Sequence, residues 1–162
     1  MVVKDPLWMF TFLGLSVAMQ LIYVYGTYII LWLNSFKESG LLDDENQVRD
    51  IFSLMTLLDA PGILLVGLTM AFIADHVSTA NLVIPAFVTR SGAFFAFTLV
   101  NDPRSPFAYM ASIGVTMSSI VAIISLETLF MKRLPREVAG AMAILQAFFI
   151  AIGALLFNAA SG

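Results

Sequence analysis

The stretch TLLDAPGILL, residues 56–65, places an aspartate, a proline and a glycine inside an otherwise apolar run. Apolar residues surround Asp59 for most of the length of a membrane span on either side. A charge at this depth in lipid is costly and is normally paired, buried in protein or exposed to a water-filled cavity. The partner of Asp59 therefore bears on how the helices of this chain pack.

The composition indicates that the solvent of the fold is lipid. Hydrophobic residues make up 60% of the 162 residues and charged residues 12%, whereas soluble domains contain about 45–50% and about 25%. There are too few polar side chains to cover a water-soluble globule. We therefore expect an integral membrane protein with membrane lipid as its first partner.

Several function classes are disfavoured by the same counts. A net charge of −3 without a basic patch argues against nucleic acid. The chain has no cysteine, and its single histidine, His76, does not build a metal site by itself. No serine–histidine pairing and no glycine-rich phosphate loop is found, so we expect no enzyme, no cofactor and no bound metal.

The apolar runs predict an all-α, polytopic bundle in a single domain, residues 1–162. A bilayer core of about 30 Å takes about 20 helical residues, and lipid excludes open sheets. The first run is too long for a cleaved signal peptide. The predicted outer polar loop covers residues 35–50, and the five predicted spans are 7–34, 51–74, 80–100, 106–131 and 137–159.

The basic residues predict an orientation. Lys132, Arg133 and Arg136 lie together between the fourth and fifth spans, and excess Lys/Arg marks the cytoplasmic or equivalent inner side. The N-terminus is then inside, and the acidic 35–50 loop and the C-terminus are outside.

Asp59 has a candidate partner on the third span. At 1.5 Å per residue, Asp59 lies about 13 Å and Arg90 about 16 Å below the outer surface. The tight turn between their helices predicts antiparallel neighbours, which would bring the two charges together. Such a pair is either a midplane site for substrate or a coupling ion, or a structural ion pair between two helices.

Polar stripes on spans one and four predict further site residues. Ser16, Gln20, Tyr23 and Thr27 are spaced 4, 3 and 4 and share one helical face, with Tyr25 and Tyr28 off that stripe. Span four carries Ser112, Thr116, Ser119 and Glu127. These residues either line an aqueous cavity or make interhelical hydrogen bonds. Glu127 is a gate charge or pairs with Lys132 or Arg133.

Two segments resemble the major facilitator superfamily of transporters. In LTMAFIADHVSTANL, residues 68–82, Asp75 and His76 stand at the aspartate and basic positions of that family's loop signature, while Ala71 and Ser78 replace its glycines. The segment FMKRLPREVAGAMAILQAFFIAIGALL, residues 130–156, is similar to the family's link between helices four and five of a half. Span four lacks the family's first-half arginine, so the match is to helices seven to eleven.

The resemblance implies a function. It implies a half-bundle of a secondary carrier, in which Asp75 is a gate charge held by a basic residue at the end of span four. A family half has six helices in 3+3 repeats, so we expect further helices from the rest of a longer chain or from partner subunits. We predict transport of a small polar or anionic solute around Asp59, Arg90, Gln20, Tyr23, Thr27, Thr116 and Ser119. The alternative is a non-transporting accessory or assembly subunit of a membrane complex.

Overall fold

A computed structural model describes residues 6–73 and 76–133, together with positions 140, 144, 147, 148 and 151. Within residues 6–133 the elements in chain order are α1 (Pro6–Glu38), α2 (Glu45–Ile73), α3 (Ala80–Phe97) and α4 (Pro106–Arg133). The described residues form helices and connections without a strand, which confirms the all-α prediction for this part of the chain.

Three helices have the length and composition that the sequence predicts for membrane spans. α2, α3 and α4 are long and apolar enough to cross a bilayer, which supports an integral membrane protein. The first predicted span falls on α1. The fifth, 137–159, lies outside the described residues apart from five isolated helical positions.

The polar connection between α1 and α2 is shorter than predicted. Residues 35–38 and 45–50, expected in the outer loop, are helical, which leaves residues 39–44 as the connection. Gly40 ends α1 with a φ of +79°, and its N–H donates to the Lys37 carbonyl at 3.0 Å. The N–H of Leu41 donates to the Phe36 carbonyl at 2.9 Å. This Schellman arrangement favours glycine because the left-handed backbone penalises a Cβ.

Asp44 begins α2. Its Oδ1 accepts a hydrogen bond from the Gln47 N–H at 2.9 Å, as an N-cap residue does. That backbone donor holds the pKa of the Asp44 carboxyl below its ordinary value. The side-chain amide of Gln47 donates from Nε2 to the Asp43 carboxylate at 2.6 Å. Its Oε1 accepts a hydrogen bond from the Arg104 guanidinium. These contacts tie the 39–44 connection to the α3–α4 connection.

α4 is the central helix. Within the most apolar part of each helix, 44% of α4 residues are buried, against 17% in α2 and in α3. α4 packs on α1, α2 and α3, whereas the α2 and α3 backbones have little or no close approach. The prediction that α2 and α3 are neighbours, which was drawn from the short turn between them, is therefore wrong. α4 packs between α2 and α3 instead.

Aromatic rings join α1 to α3, and apolar side chains cover the outward faces of the bundle. At the end that carries the 39–44 connection, rings of α1 meet rings of α3: Trp32 lies 5.0 Å from Phe97, and Tyr28 lies 5.8 Å from Phe94, both edge to face. The outward faces of α2 and α3 are apolar and exposed, for example at Phe72. Such faces fit lipid as the solvent.

A candidate site formed by a buried polar cluster

The carboxylate of Asp59 lies against two hydroxyls of α4. Thr116 Oγ1 donates to Oδ2 at 2.8 Å, and Ser112 Oγ lies 3.2 Å from Oδ2 and 3.3 Å from Oδ1. Ser112 and Thr116 face α2 together because residues four apart share one side of a helix. Asp59 is only 8% exposed, so these hydroxyls replace the water that a surface carboxylate would have.

Tyr25 extends this contact to α1. Its hydroxyl donates to Ser112 Oγ at 2.8 Å, and Ser112 is almost completely buried. The three groups form a chain of hydrogen bonds that runs from the Tyr25 phenol through Ser112 to the Asp59 carboxylate. The chain crosses from α1 through α4 to α2.

Arg90 of α3 adjoins the same cluster. It is 3% exposed, and its Cζ lies 5.6 Å from the centroid of the Phe94 ring, within the range of a cation–π contact. The Phe94 ring in turn meets the Tyr25 ring edge to face at 5.6 Å. Tyr25 also lies within electrostatic range of both Asp59 and Arg90.

The direct Asp59–Arg90 ion pair expected from the sequence does not occur among the described contacts. Asp59 is bound by Ser112 and Thr116 instead, because α4 separates α2 from α3. We call the five polar residues, one or two from each of the four helices, the polar cluster: Tyr25, Asp59, Arg90, Ser112 and Thr116.

Hydrogen bonds from α4 lower the cost of placing Asp59 in a membrane helix. An aspartate at the centre of a membrane helix costs about 2.5–3.5 kcal/mol on insertion scales. Interhelical hydrogen bonds in membranes contribute about 0.6 kcal/mol on average and at most about 1.7. Two hydroxyls of α4, each with one hydrogen to donate, supply these bonds. They therefore offset part of the insertion cost of the carboxylate.

The other predicted site residues have different positions. Ser119 Oγ donates to the Val115 carbonyl of its own helix at 2.5 Å and is not in the polar cluster. Thr27 is half-buried on α1. Gln20 and Tyr23 lie within α1, but their side chains are outside the described residues.

The predicted gate charges are described only in part. Asp75 and the side chain of Arg133 lie outside the described residues. Glu127 and Lys132 are exposed and line a shallow groove at the far end of α4. No ion pair joins Glu127 to Lys132 in the part of the chain that the structure describes, while pairing of Glu127 with Arg133 stays a prediction.

Sequence reasoning missed Tyr25 and did not choose Ser112 as a site residue. Tyr25 was set apart because it lies off the polar stripe of α1. A signal was nevertheless present: Tyr25 and Asp59 are nearly equally far along the chain from the 39–44 connection, so antiparallel α1 and α2 place them at similar depth. Ser112 lies one turn before the predicted Thr116 on the same face.

The polar cluster combines one carboxylate, one guanidinium and three hydroxyls. Its oxygen donors are one carboxylate and three hydroxyls, and the described residues contain no group of three His, Cys, Asp or Glu able to hold a metal ion. Comparisons of the chain with protein-family models, with curated proteins and with solved structures found no match. The major facilitator resemblance stays a prediction.

Proposed function

We propose that this bundle belongs to a secondary carrier of major-facilitator type that transports a small polar or anionic solute. The observation that supports the proposal is the polar cluster, in which all four described helices bring a polar or charged side chain to one buried place. Carriers bind substrates and coupling ions near the bilayer midplane, between helices. In this proposal the remaining helices come from the rest of a longer chain or from a partner subunit.

Asp59 and Arg90 have separate roles in this function. Because α4 lies between their helices, the two charges are not committed to each other by a direct ion pair. Arg90 is the group suited to an anionic part of a solute, since a guanidinium presents several donors in a fixed plane. Asp59 is suited to a coupling ion.

We also propose the orientation that the basic residues indicate. The N-terminus and the segment after α4 face the cytoplasmic or equivalent inner side, and the 39–44 connection faces outward. Because the chain has no cysteine, single cysteines introduced at Ser39 and at Ser78 are expected to react with an impermeant maleimide from opposite sides of the membrane. Reaction of both from one side would contradict the arrangement.

The transport proposal is tested in lipid vesicles with the full-length protein, purified together with any partner subunit that it retains. Uptake of radiolabelled lactate, succinate, phosphate and alanine is measured for wild type, Arg90→Ala and Asp59→Asn, with insertion checked by protease protection. We expect both substitutions to abolish uptake of whichever probe the wild type accumulates. Arg49→Ala and Asp50→Asn, at exposed positions on α2, are the matched controls. Unchanged uptake in both cluster variants would overturn the proposal.

An accessory or assembly subunit is the second candidate. It is supported by the contacts of Asp59, since two hydroxyls of α4 bind both carboxylate oxygens and join α2 to α4 even without a ligand. This role predicts no uptake of any probe and isolation of the chain only inside a larger membrane complex. Under it, Asp59→Asn would reduce assembly rather than flux.

A further inference from the structure

The hydrogen bonds of the polar cluster have a direction. Tyr25 donates to Ser112 at 2.8 Å, so the Ser112 hydrogen is available to the Asp59 carboxylate. Oδ2 of Asp59 has the short bond from Thr116 at 2.8 Å, whereas Oδ1 has only the longer contact from Ser112 at 3.3 Å. Oδ1 is therefore the less occupied of the two carboxylate oxygens.

Among the residues that the structure describes, every hydrogen-bond partner of this carboxylate is a hydroxyl. A hydroxyl rotates to donate or to accept, unlike an ammonium or a guanidinium, which only donates. A neutral Asp59 carrying its proton on Oδ1 can donate to Ser112 Oγ, with Thr116 still donating to Oδ2. Ser112 then turns its own hydrogen toward the Tyr25 oxygen, and the Tyr25 hydrogen has to leave Ser112. The carboxyl of Asp59 therefore keeps hydrogen-bond partners in both charge states without moving a helix, whereas protonation costs the Tyr25 hydroxyl its bond to Ser112.

We propose that Asp59 is a reversible proton-binding site and that the Tyr25 hydroxyl links its charge state to Arg90. The step is the addition of one proton to a carboxylate oxygen, with no bond broken other than hydrogen bonds. The Tyr25 hydroxyl donates to Ser112 beside the carboxylate and lies within electrostatic range of Arg90. The Tyr25 ring holds it there by packing on Phe94, and the Arg90 guanidinium lies over the Phe94 ring. The linkage to Arg90 rests on the proposed function, whereas the proton site itself is measurable without transport.

The charged and titratable surroundings of Asp59 are few. From α1 the facing group is Tyr25, which also lies within electrostatic range of Arg90 on α3. The other titratable groups with described side chains on α4, Tyr109, Glu127 and Lys132, lie outside the polar cluster. No second carboxylate therefore shares the site among the described residues, so a single proton and a single titration are expected.

The test is infrared spectroscopy of the full chain in lipid bilayers, titrated from alkaline to acidic buffer. We expect a carbonyl-stretch band of a protonated buried carboxyl that is absent in Asp59→Asn. Thr116→Val, which keeps the side-chain shape but removes the closest donor to the charged form, should move the midpoint about one pH unit higher. Identical spectra of wild type and Asp59→Asn throughout the titration would overturn the proton site.

The role of Tyr25 has a matched control one turn away. Tyr25→Phe keeps the ring on Phe94 but removes the hydroxyl, and we expect it to move the midpoint upward by less than Thr116→Val does. Tyr28→Phe makes the same change in a residue with similar ring contacts and should leave the midpoint in place. Equal midpoints in wild type and Tyr25→Phe would overturn the link through Tyr25.

The uptake assay and the infrared titration distinguish failure of the carrier proposal from failure of the proton-site proposal. A titrating Asp59 band in a chain that takes up none of the four probes contradicts the carrier proposal and supports the proton site. Uptake that Asp59→Asn abolishes, in a chain whose spectra show no Asp59 band, supports the carrier and overturns the proton site. When both are present, the link predicts that Tyr25→Phe shifts the pH profile of uptake and that Tyr28→Phe does not.

Discussion

α4 meets its neighbours through two different kinds of surface. Toward α3 it presents Gly114, where an added Cβ would lie only 3.2 Å from the Cβ of Ala93. Toward α2 and α1 it presents Ser112 and Thr116, whose hydroxyls contact Asp59 and Tyr25. Gly114 and the two hydroxyl residues are only two positions apart in sequence.

The difference teaches how one helix can combine a fixed and an adjustable contact. Close approach of small residues stabilises membrane helices by shape, so the α3 side depends on volume and not on charge. The α2 side depends on hydrogen bonds whose donors can rotate, so it responds to protonation. Substitutions that alter volume and substitutions that alter polarity should therefore affect the two surfaces unequally.

The largest effect is expected on the α3 side. Gly114→Leu forces several extra carbon atoms into a contact that is already tight, and we expect a loss of about 3 kcal/mol or more in the free energy of unfolding. Unfolding is measured by titrating denaturing detergent into the folded chain. Gly92→Leu, where an added Cβ meets nothing within 4 Å, should be nearly neutral. Equal losses at both glycines would mean that α3 and α4 do not pack as described.

A smaller effect is expected on the α2 side. Thr116→Val removes one hydrogen bond to Asp59 while preserving shape, so it should lower the free energy of unfolding by about 0.6–1.7 kcal/mol. The control is Thr56→Val on α2, because the exposed Thr56 hydroxyl bonds only the Phe52 carbonyl of its own helix. The same assay measures both. A loss at Thr56 as large as that at Thr116 would remove the distinction between an interhelical and a local hydroxyl.

The smallest effect is expected at Asp44, away from both surfaces of α4. The Gln47 N–H holds the pKa of the Asp44 carboxyl below its ordinary value, so folding favours the ionised form. Its contribution to stability is present above the pKa of an unfolded aspartate and is lost as the pH falls through the lower folded pKa. Asp44→Asn, which retains an N-cap, should weaken this acid dependence. The free energy of unfolding is measured for wild type and Asp44→Asn at neutral and acidic pH. If it falls equally with pH in both proteins, Asp44 does not contribute to the acid dependence through its N-cap bond.

How far the sequence predicts the fold depends on which force sets each feature. The helices of residues 45–133 follow from apolar run length, because lipid leaves a chain no other way to satisfy its backbone. Connectivity did not predict packing order: the short turn after α2 suggested that α2 and α3 touch, yet α4 lies between them. Pairing of helices is set by side-chain shape, such as Gly114 against Ala93, which periodicity does not encode.

The candidate site was predicted only in part, because the sequence shows which residues are polar but not which partners they bind. Asp59, Arg90 and Thr116 stood out because charge and polarity in an apolar run are costly. Ser119 was grouped with them, and in the structure its hydroxyl bonds the Val115 carbonyl of its own helix. A buried serine can satisfy itself on its own backbone, and sequence spacing does not distinguish that state from an interhelical bond. Tyr25 was missed because its role depends on contacts with Ser112 of α4 and Phe94 of α3, and spacing within α1 does not show these contacts.

Cysteine cross-linking tests the central position of α4 most directly, because the chain has no cysteine of its own. A disulfide requires Cβ atoms about 3.5–4.5 Å apart. Oxidation should cross-link the α3–α4 pair Ala93→Cys/Gly114→Cys, and also the α2–α4 pair Gly62→Cys/Met117→Cys, where the Gly62 Cβ position lies 3.4 Å from Met117 Cγ. Gly62→Cys/Ala93→Cys, joining α2 to α3, should stay reduced. Efficient cross-linking of that last pair, with none in the first two, would contradict the arrangement on which the polar cluster depends.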